Sequence, residues 1–342
     1  FLAVRGLFLL LAGLGLVRFG LPQESTAVGT PENPLAGSPI FIEKGCIKCH
    51  AVLGFGESFG PDLTQIGREM DFFQIAGALW NHSPKMIEVM KEKDIPRFVL
   101  TPEETRKLIT FLYYLGFFET LGDYVKGGEI FSQKGCSQCH ALGGKTKIPL
   151  DKYGQYVSPV FIAAELWNHS ATISAAMNVG SIEPGEMSHL LAFIRGEAWN
   201  PESESVTLQP GNPRRGEETF REKKCFVCHG ENGRGLKTRP LRKGLSEIVG
   251  MMWNHSSQMW AEMRAKGLNV PHFSAEEMAD LISLLYFLQF YGEPGDIQKG
   301  EKVFVDKGCV SCHGPQGRGN RRGIDLAAVS KRTIFGLVSA MW

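Results

Sequence analysis

Residues 37–50 read GSPIFIEKGCIKCH, and the same frame returns three times: GGEIFSQKGCSQCH at 127–140, GEETFREKKCFVCH at 216–229 and GEKVFVDKGCVSCH at 300–313. Each copy sets a Gly four residues ahead of a Phe (Phe41, Phe131, Phe220, Phe304) and that Phe five residues ahead of the first Cys. Cys-x-x-Cys-His follows at once. All 8 cysteines of the 342-residue chain fall in these motifs, which leaves none for a disulfide or a free thiol. The first cysteines stand at 46, 136, 225 and 309, so the chain repeats with a period near 85 to 90 residues.

Outward from each motif the pattern continues. A Gly-rich stretch comes next, then a helical segment carrying Trp-Asn-His-Ser at 80–83, 167–170 and 253–256. An amphipathic helix closes each unit: TPEETRKLITFLYYLGFF, EPGEMSHLLAFIRGEA and SAEEMADLISLLYFLQFY. Thr101 with Glu104 and Ser274 with Glu277 read as capping boxes, with Pro102 at the first helical position. No alternating strand pattern appears, so the expected fold is all-α. The expected organisation is an apolar anchor and linker (1–34) and four small helical domains, at 35–122, 123–199, 210–292 and 293–342. ETLGDYVK, NPESESVTLQPGNP and GEPGDIQK read as the linkers between them. From first Cys to Trp is 34, 31 and 28 residues in the first three units, and Cys309 to Trp342 is 33. Trp342 thus reads as the fourth repeat's Trp, and the expectation is a fourth domain that continues past it.

Cys-x-x-Cys-His points to haem held covalently. Two thiols form thioethers with the haem vinyl groups, and the adjacent His supplies the proximal iron ligand. The pairs are Cys46 and Cys49, Cys136 and Cys139, Cys225 and Cys228, Cys309 and Cys312; the histidines are His50, His140, His229 and His313. Cys-x-x-Cys also serves zinc sites and redox dithiols, but four copies each followed by His in a repeating helical frame favour four haem c groups. A bound cofactor of that size lets a unit of about 85 residues build a core that apolar burial alone supports poorly.

With these motifs the chain resembles tandem class I cytochrome c domains from about Gly37 onward. The resemblance rests on a first helix ending at the haem motif, a Gly-rich loop and a closing amphipathic helix. It implies that the carbonyl of Pro61, eleven residues after His50, accepts a hydrogen bond from the proximal imidazole. Pro240 has the same offset from His229; the second repeat lacks it, and the fourth has Ile324. The family's distal Met before the last helix is absent, because those places hold Ile95 and Val270. Counted from the Trp, a Met recurs at plus ten (Met90, Met177, Met263) and a His at plus two (His82, His169, His255). Met86 and Met259 lie at plus six, where the second repeat has Ile173. The plus-ten Met is the favoured distal ligand and the plus-two His the alternative. Eight helical residues span roughly 12 Å, so one iron cannot take both. The three Trp are expected to wall the pockets. His189 and His272 occur once each and read as surface or capping residues, and the basic loops GRGLKTRPLRKG and GRGNRRG as solvated faces.

The N-terminal FLAVRGLFLLLAGLGLVRFGL carries only Arg5 and Arg18 as charges, and a retained membrane anchor is preferred over a cleaved signal. A net charge of +1 excludes the basic excess of a nucleic-acid binder. The expected role is electron transfer, with no substrate chemistry of its own, between a membrane redox complex and a soluble electron carrier. The haem units would sit on the extracytoplasmic, periplasmic side of the cell membrane. Two rivals are a multihaem enzyme, such as a peroxidase or sulfur-compound dehydrogenase with one five-coordinate haem, and a subunit of a conductive filament. The tetrahaem subunit of purple bacterial photosynthetic reaction centres is similar in length and haem count. Its Met ligands precede the Cys-x-x-Cys-His, however, so the likeness is functional.

Overall fold

The computed structural model describes residues 30, 31, 33–118, 122–140, 150, 158–177, 179–183, 185–197, 211–233, 235–236, 244–292, 295–320, 323, 325–326 and 334–341. Among these the chain is helical, and the β pairing is a single isolated bridge between Val52 and Phe55. The first repeat holds α1 (Ser38–Glu43), α2 (Ile66–Glu69), α3 (Phe72–Glu92) and α4 (Pro102–Leu115). The second holds α5 (Tyr124–Gln133), α6 (Pro159–Ala176) and α7 (Glu186–Glu197). The third holds α8 (Pro213–Glu222), α9 (Phe226–His229), α10 (Leu245–Ala265) and α11 (Ala275–Phe287). The fourth holds α12 (Ile297–Asp306), α13 (Val310–His313) and α14 (Ile334–Met341). No helix among the described residues is long and apolar enough to cross a membrane. The segment read as an anchor, residues 1–29, lies outside them.

The expected capping boxes at Thr101 and Ser274 form, and a third sits at Asp71 with Gln74. The glycine of the repeated frame lets the first helix lie against the last. A Cβ on Gly37, Gly127 or Gly216 would stand 2.1–2.2 Å from the carbonyl oxygen of Lys107, His189 or Asp280. The frame's Phe then reaches the same helix: Phe41 meets Phe111 at 5.9 Å and Phe131 meets Phe193 at 5.1 Å. A lysine two residues before the first Cys ties the same two elements. Lys44, Lys134 and Lys223 donate to the carbonyls of Val99, Ser181 and His272 at 2.6–2.9 Å. Each also pairs with an acid in the closing helix's first turn, Glu104 (2.8 Å), Glu186 (3.1 Å) or Glu277 (2.7 Å).

Neighbouring repeats share one apolar core. The aromatic ends of α4 and α11 meet reciprocally: Tyr113 donates to the carbonyl of Tyr286 at 3.0 Å and Tyr286 to that of Tyr113 at 2.8 Å. The second and third repeats exchange Asn clamps. Asn168 holds both backbone groups of Phe273 (2.8 and 2.9 Å), and Asn254 holds both of Ile182 (2.8 and 2.7 Å). Phe273 and Ile182 are the buried residues just ahead of their closing helices. The fourth repeat's α14 leans on the first, where Ser339 donates to the carbonyl of Leu100 at 2.6 Å and Phe335 meets Phe72 at 5.1 Å.

These contacts change the reading of Trp-Asn-His-Ser. Trp80 is 50% exposed and does not border the first repeat's cavity. Trp167 is buried between repeats, donating to the carbonyl of Pro271 at 2.8 Å. Trp253 borders the second repeat's cavity. The expectation that each Trp walls its own pocket is therefore corrected for Trp80, which is exposed, and for Trp167, which inter-repeat packing takes. The Ser, inside its helix, bonds back by donating to the carbonyl of the Trp three residues earlier, at 2.9 Å for Ser83 and 2.7 Å for Ser256, and likewise for Ser170. In α3 this answers Pro84, which has no N–H for the Trp80 carbonyl.

Candidate cofactor sites

All four Cys-x-x-Cys-His motifs fold into the same turn. The second Cys donates its N–H to the carbonyl of the first at 3.1–3.3 Å, and the His does so at 2.9–3.0 Å. Spacings of three and four residues in one helical turn put both sulfurs and the imidazole on one side. The residue before the first Cys is left-handed each time: φ is 78° at Gly45, 78° at Gly135, 60° at Lys224 and 73° at Gly308. Lys224 adopts it without glycine's freedom.

In the first repeat the turn opens on a cavity of about 290 Å³. Cys46, Cys49 and His50 form one wall; His82, Met86 and Met90 of α3 form another; Phe41, Leu108 and Leu112 close the back. His50 Nδ1 donates to the Pro61 carbonyl at 2.9 Å, the contact the family resemblance implied. That bond places the proton on Nδ1 and leaves the Nε2 lone pair for a metal. Gly60 allows the approach, since a Cβ there would lie 2.5 Å from the ring. Met90 is buried, Met86 half-buried and His82 exposed.

The second cavity, of about 110 Å³, is bordered by Cys136, His140, Glu165, His169 and Ile173, with Trp253 reaching in from the third repeat. The rings of His140 and His169 face it with centroids 6.2 Å apart. Met177 does not border it. Its placement on the helix is corrected, because α6 ends at Ala176 and Met177 is extended at φ −159° and ψ 155°. The bare Cα of Gly135 makes room for it: the Met177 methyl lies 2.5 Å from where a Cβ would stand.

In the third repeat Met259 packs against the core, Met263 is half-buried and His255 is exposed, all on α10. Cys309, Cys312 and His313 of the fourth repeat keep the common turn. Pro240, Ile324 and Trp342 lie outside the described residues.

The donor set fits haem c better than zinc or a redox dithiol. Burial pushes the thiols of Cys46 and Cys225 up to about 11 and raises that of Cys136. Such surroundings oppose a thiolate and suit a neutral thioether. Among the described residues no cluster of three or more His, Cys, Asp or Glu is arranged to hold a metal ion. The lysine ties and the Asn clamps escaped the sequence reading. The Lys at minus two and the acid in the first closing turn recur together, and that shared spacing was the available signal.

Comparison with known proteins agrees with this chemistry. The cytochrome c family matches residues 297–335, which include the fourth Cys-x-x-Cys-His, so the chain carries a cytochrome c domain there, and that domain implies covalently bound haem c. The chain is also similar to one subunit of the nitric oxide reductase of Paracoccus denitrificans, 32% identical over 91 residues. That match covers 25% of this chain and spans 59% of the relative's length. No solved structure matches. Together these findings indicate an electron-transfer haem protein.

Proposed function

We propose that the chain is a tetrahaem c-type cytochrome that relays electrons between a membrane redox complex and a soluble carrier. The observation that carries this reading is the backbone hydrogen-bond pattern shared by all four motifs, in which the second Cys and the His both donate to the carbonyl of the first Cys. Haem, when bound, supplies one-electron cycling between ferric and ferrous iron. The chain's own residues do the rest. Cys46 and Cys49, and their counterparts in the other repeats, hold the group; His50, His140, His229 and His313 offer the proximal nitrogen. In the first repeat Pro61 fixes the imidazole tautomer, and Met90, or Met86 one turn earlier, offers sulfur from the facing helix. A sulfur ligand raises the reduction potential relative to a second imidazole. Most of the first site's walls are apolar, which would lower the dielectric around a bound group.

Repeats packed on one apolar core would hold their sites at fixed separations, which a relay needs and a single-substrate enzyme does not. The likeness to a nitric oxide reductase subunit supports a redox partner that is itself an oxidoreductase. The apolar N-terminus would hold the chain at the membrane, with the haem units on the periplasmic side where haem c is attached. Pyridine haemochrome assay with intact mass tests the count: four haems per chain are expected, and fewer would overturn the tetrahaem reading. Carbon monoxide added to the reduced protein tests the rest. A relay of six-coordinate irons binds none, whereas rapid uptake of one equivalent would favour the enzyme.

A further inference from the structure

We infer that the second repeat holds its iron between two histidines, His140 and His169, and so differs from the Met-lined first repeat; this rests on the haem reading above. The two imidazoles border one cavity, with centroids 6.2 Å apart and planes inclined by 56°. A metal–imidazole bond is about 2 Å and a ring centroid lies about 1 Å behind its nitrogen, so imidazoles on opposite sides of one metal have centroids roughly 6 Å apart. The spacing is that of two ligands with one iron between them.

Three features leave this cavity without a methionine on its border. Ile173 stands at the plus-six position, where the first and third repeats have Met86 and Met259, and it borders the cavity. Met177, at plus ten, has left the helix and lies over Gly135. Val179 and Ile182, on the chain leading to α7, supply only hydrocarbon.

His169 also differs from its counterparts in burial. It is half-buried, whereas His82 and His255 are exposed. The residues around it are pinned from both sides: Trp167 on the Pro271 carbonyl, Asn168 on both backbone groups of Phe273, and Ser170 on the Trp167 carbonyl. The third repeat therefore fixes the turn of α6 that presents His169. Two imidazoles give a lower reduction potential than imidazole with thioether, which places the second site below the first.

The test uses the full holoprotein. Mass analysis of the peptide bearing CSQCH comes first. A peptide without haem overturns the cofactor reading and this inference together. With that haem present, near-infrared magnetic circular dichroism and low-temperature electron paramagnetic resonance read the axial pairs. The wild type is expected to show a bis-imidazole component. His169→Met should remove one haem equivalent of it and add one equivalent of imidazole–thioether signal, with the haem count unchanged. Met177→Leu should leave every component as it was. Absence of bis-imidazole signal from the wild type, its full persistence in His169→Met, or loss of a thioether component in Met177→Leu would overturn the inference. The wild-type and Met177→Leu spectra decide the matter even if His169→Met fails to fold.

Discussion

The first and second repeats start from one frame and end with different sites. In the first, α3 runs through Met90, and His82, Met86 and Met90 all border the cavity, His82 from its solvent-exposed edge. In the second, α6 stops at Ala176, Ile173 replaces the first sulfur, Met177 lies over Gly135, and His169 borders the cavity with His140. The neighbours differ as well. Trp80 of the first repeat is exposed, whereas Trp167 and Asn168 are clamped by the third repeat. Asn254 is clamped in the same way while His255 stays exposed, so the clamp on Asn168 does not by itself bring His169 to its cavity.

The largest expected effect breaks the first site and leaves the second alone. Replacing both Met86 and Met90 by Leu removes all sulfur that faces the first cavity from α3. The reduced protein should then bind one equivalent of carbon monoxide, while Met177→Leu should gain none. Absorbance titration reads both, and uptake by Met177→Leu would erase the contrast between the repeats.

Next come the clamps. Asn168→Ala and Asn254→Ala each leave a buried residue's N–H and carbonyl without their partner. An unmade buried hydrogen bond costs about 1–3 kcal/mol, so each variant should lose at least about 2 kcal/mol in chemical denaturation. Asn81 is exposed, and Asn81→Ala should change stability by less than about 0.5 kcal/mol.

These clamps mark where sequence legibility ended. The turn shared by the four Cys-x-x-Cys-His motifs, the helical class of the described residues, the capping boxes at Thr101 and Ser274 and the contact between His50 and Pro61 were all readable, because each depends on neighbours close in sequence or on a family pattern. Periodicity tells which face of α6 is apolar but not whether a cofactor or another repeat covers it. Trp167 was thus expected at a pocket wall and lies in an interface. Nor does spacing show where a helix stops. The absence of a Cβ at Gly135, more than forty residues earlier, makes room for Met177 outside α6.

A smaller effect concerns the left-handed residue before each first Cys. Gly45, Gly135 and Gly308 adopt it freely, and Lys224 does so at φ 60°. A non-glycine residue there costs roughly 1–2 kcal/mol, part of which glycine's greater freedom in the unfolded chain offsets. Lys224→Gly should therefore stabilise the third repeat by about 0.5–1 kcal/mol. Gly45→Ala should destabilise the first by a similar amount, and thermal melts compare the two.

The smallest expected effect is the acid response of the lysine ties. The Lys44 ammonium, with the Thr101 N–H, holds the Glu104 carboxyl down to about 2. Glu186 is also lowered, although burial pulls it up, because the Glu183 N–H and Lys134 outweigh that pull. A carboxyl depressed on folding stabilises the native state above its unfolded value of about 4.3, and the contribution disappears as pH falls through the folded value. The tie between α1 and α4 should therefore be intact at pH 6 and lost progressively between about pH 4 and pH 2. Partly exposed pairs are screened by solvent and contribute about 1 kcal/mol or less. Lys44→Met should accordingly melt slightly below wild type at pH 6 and together with it near pH 2. A gap that persists in acid would mean that Lys44 acts through the Val99 carbonyl, which does not titrate, and not through Glu104.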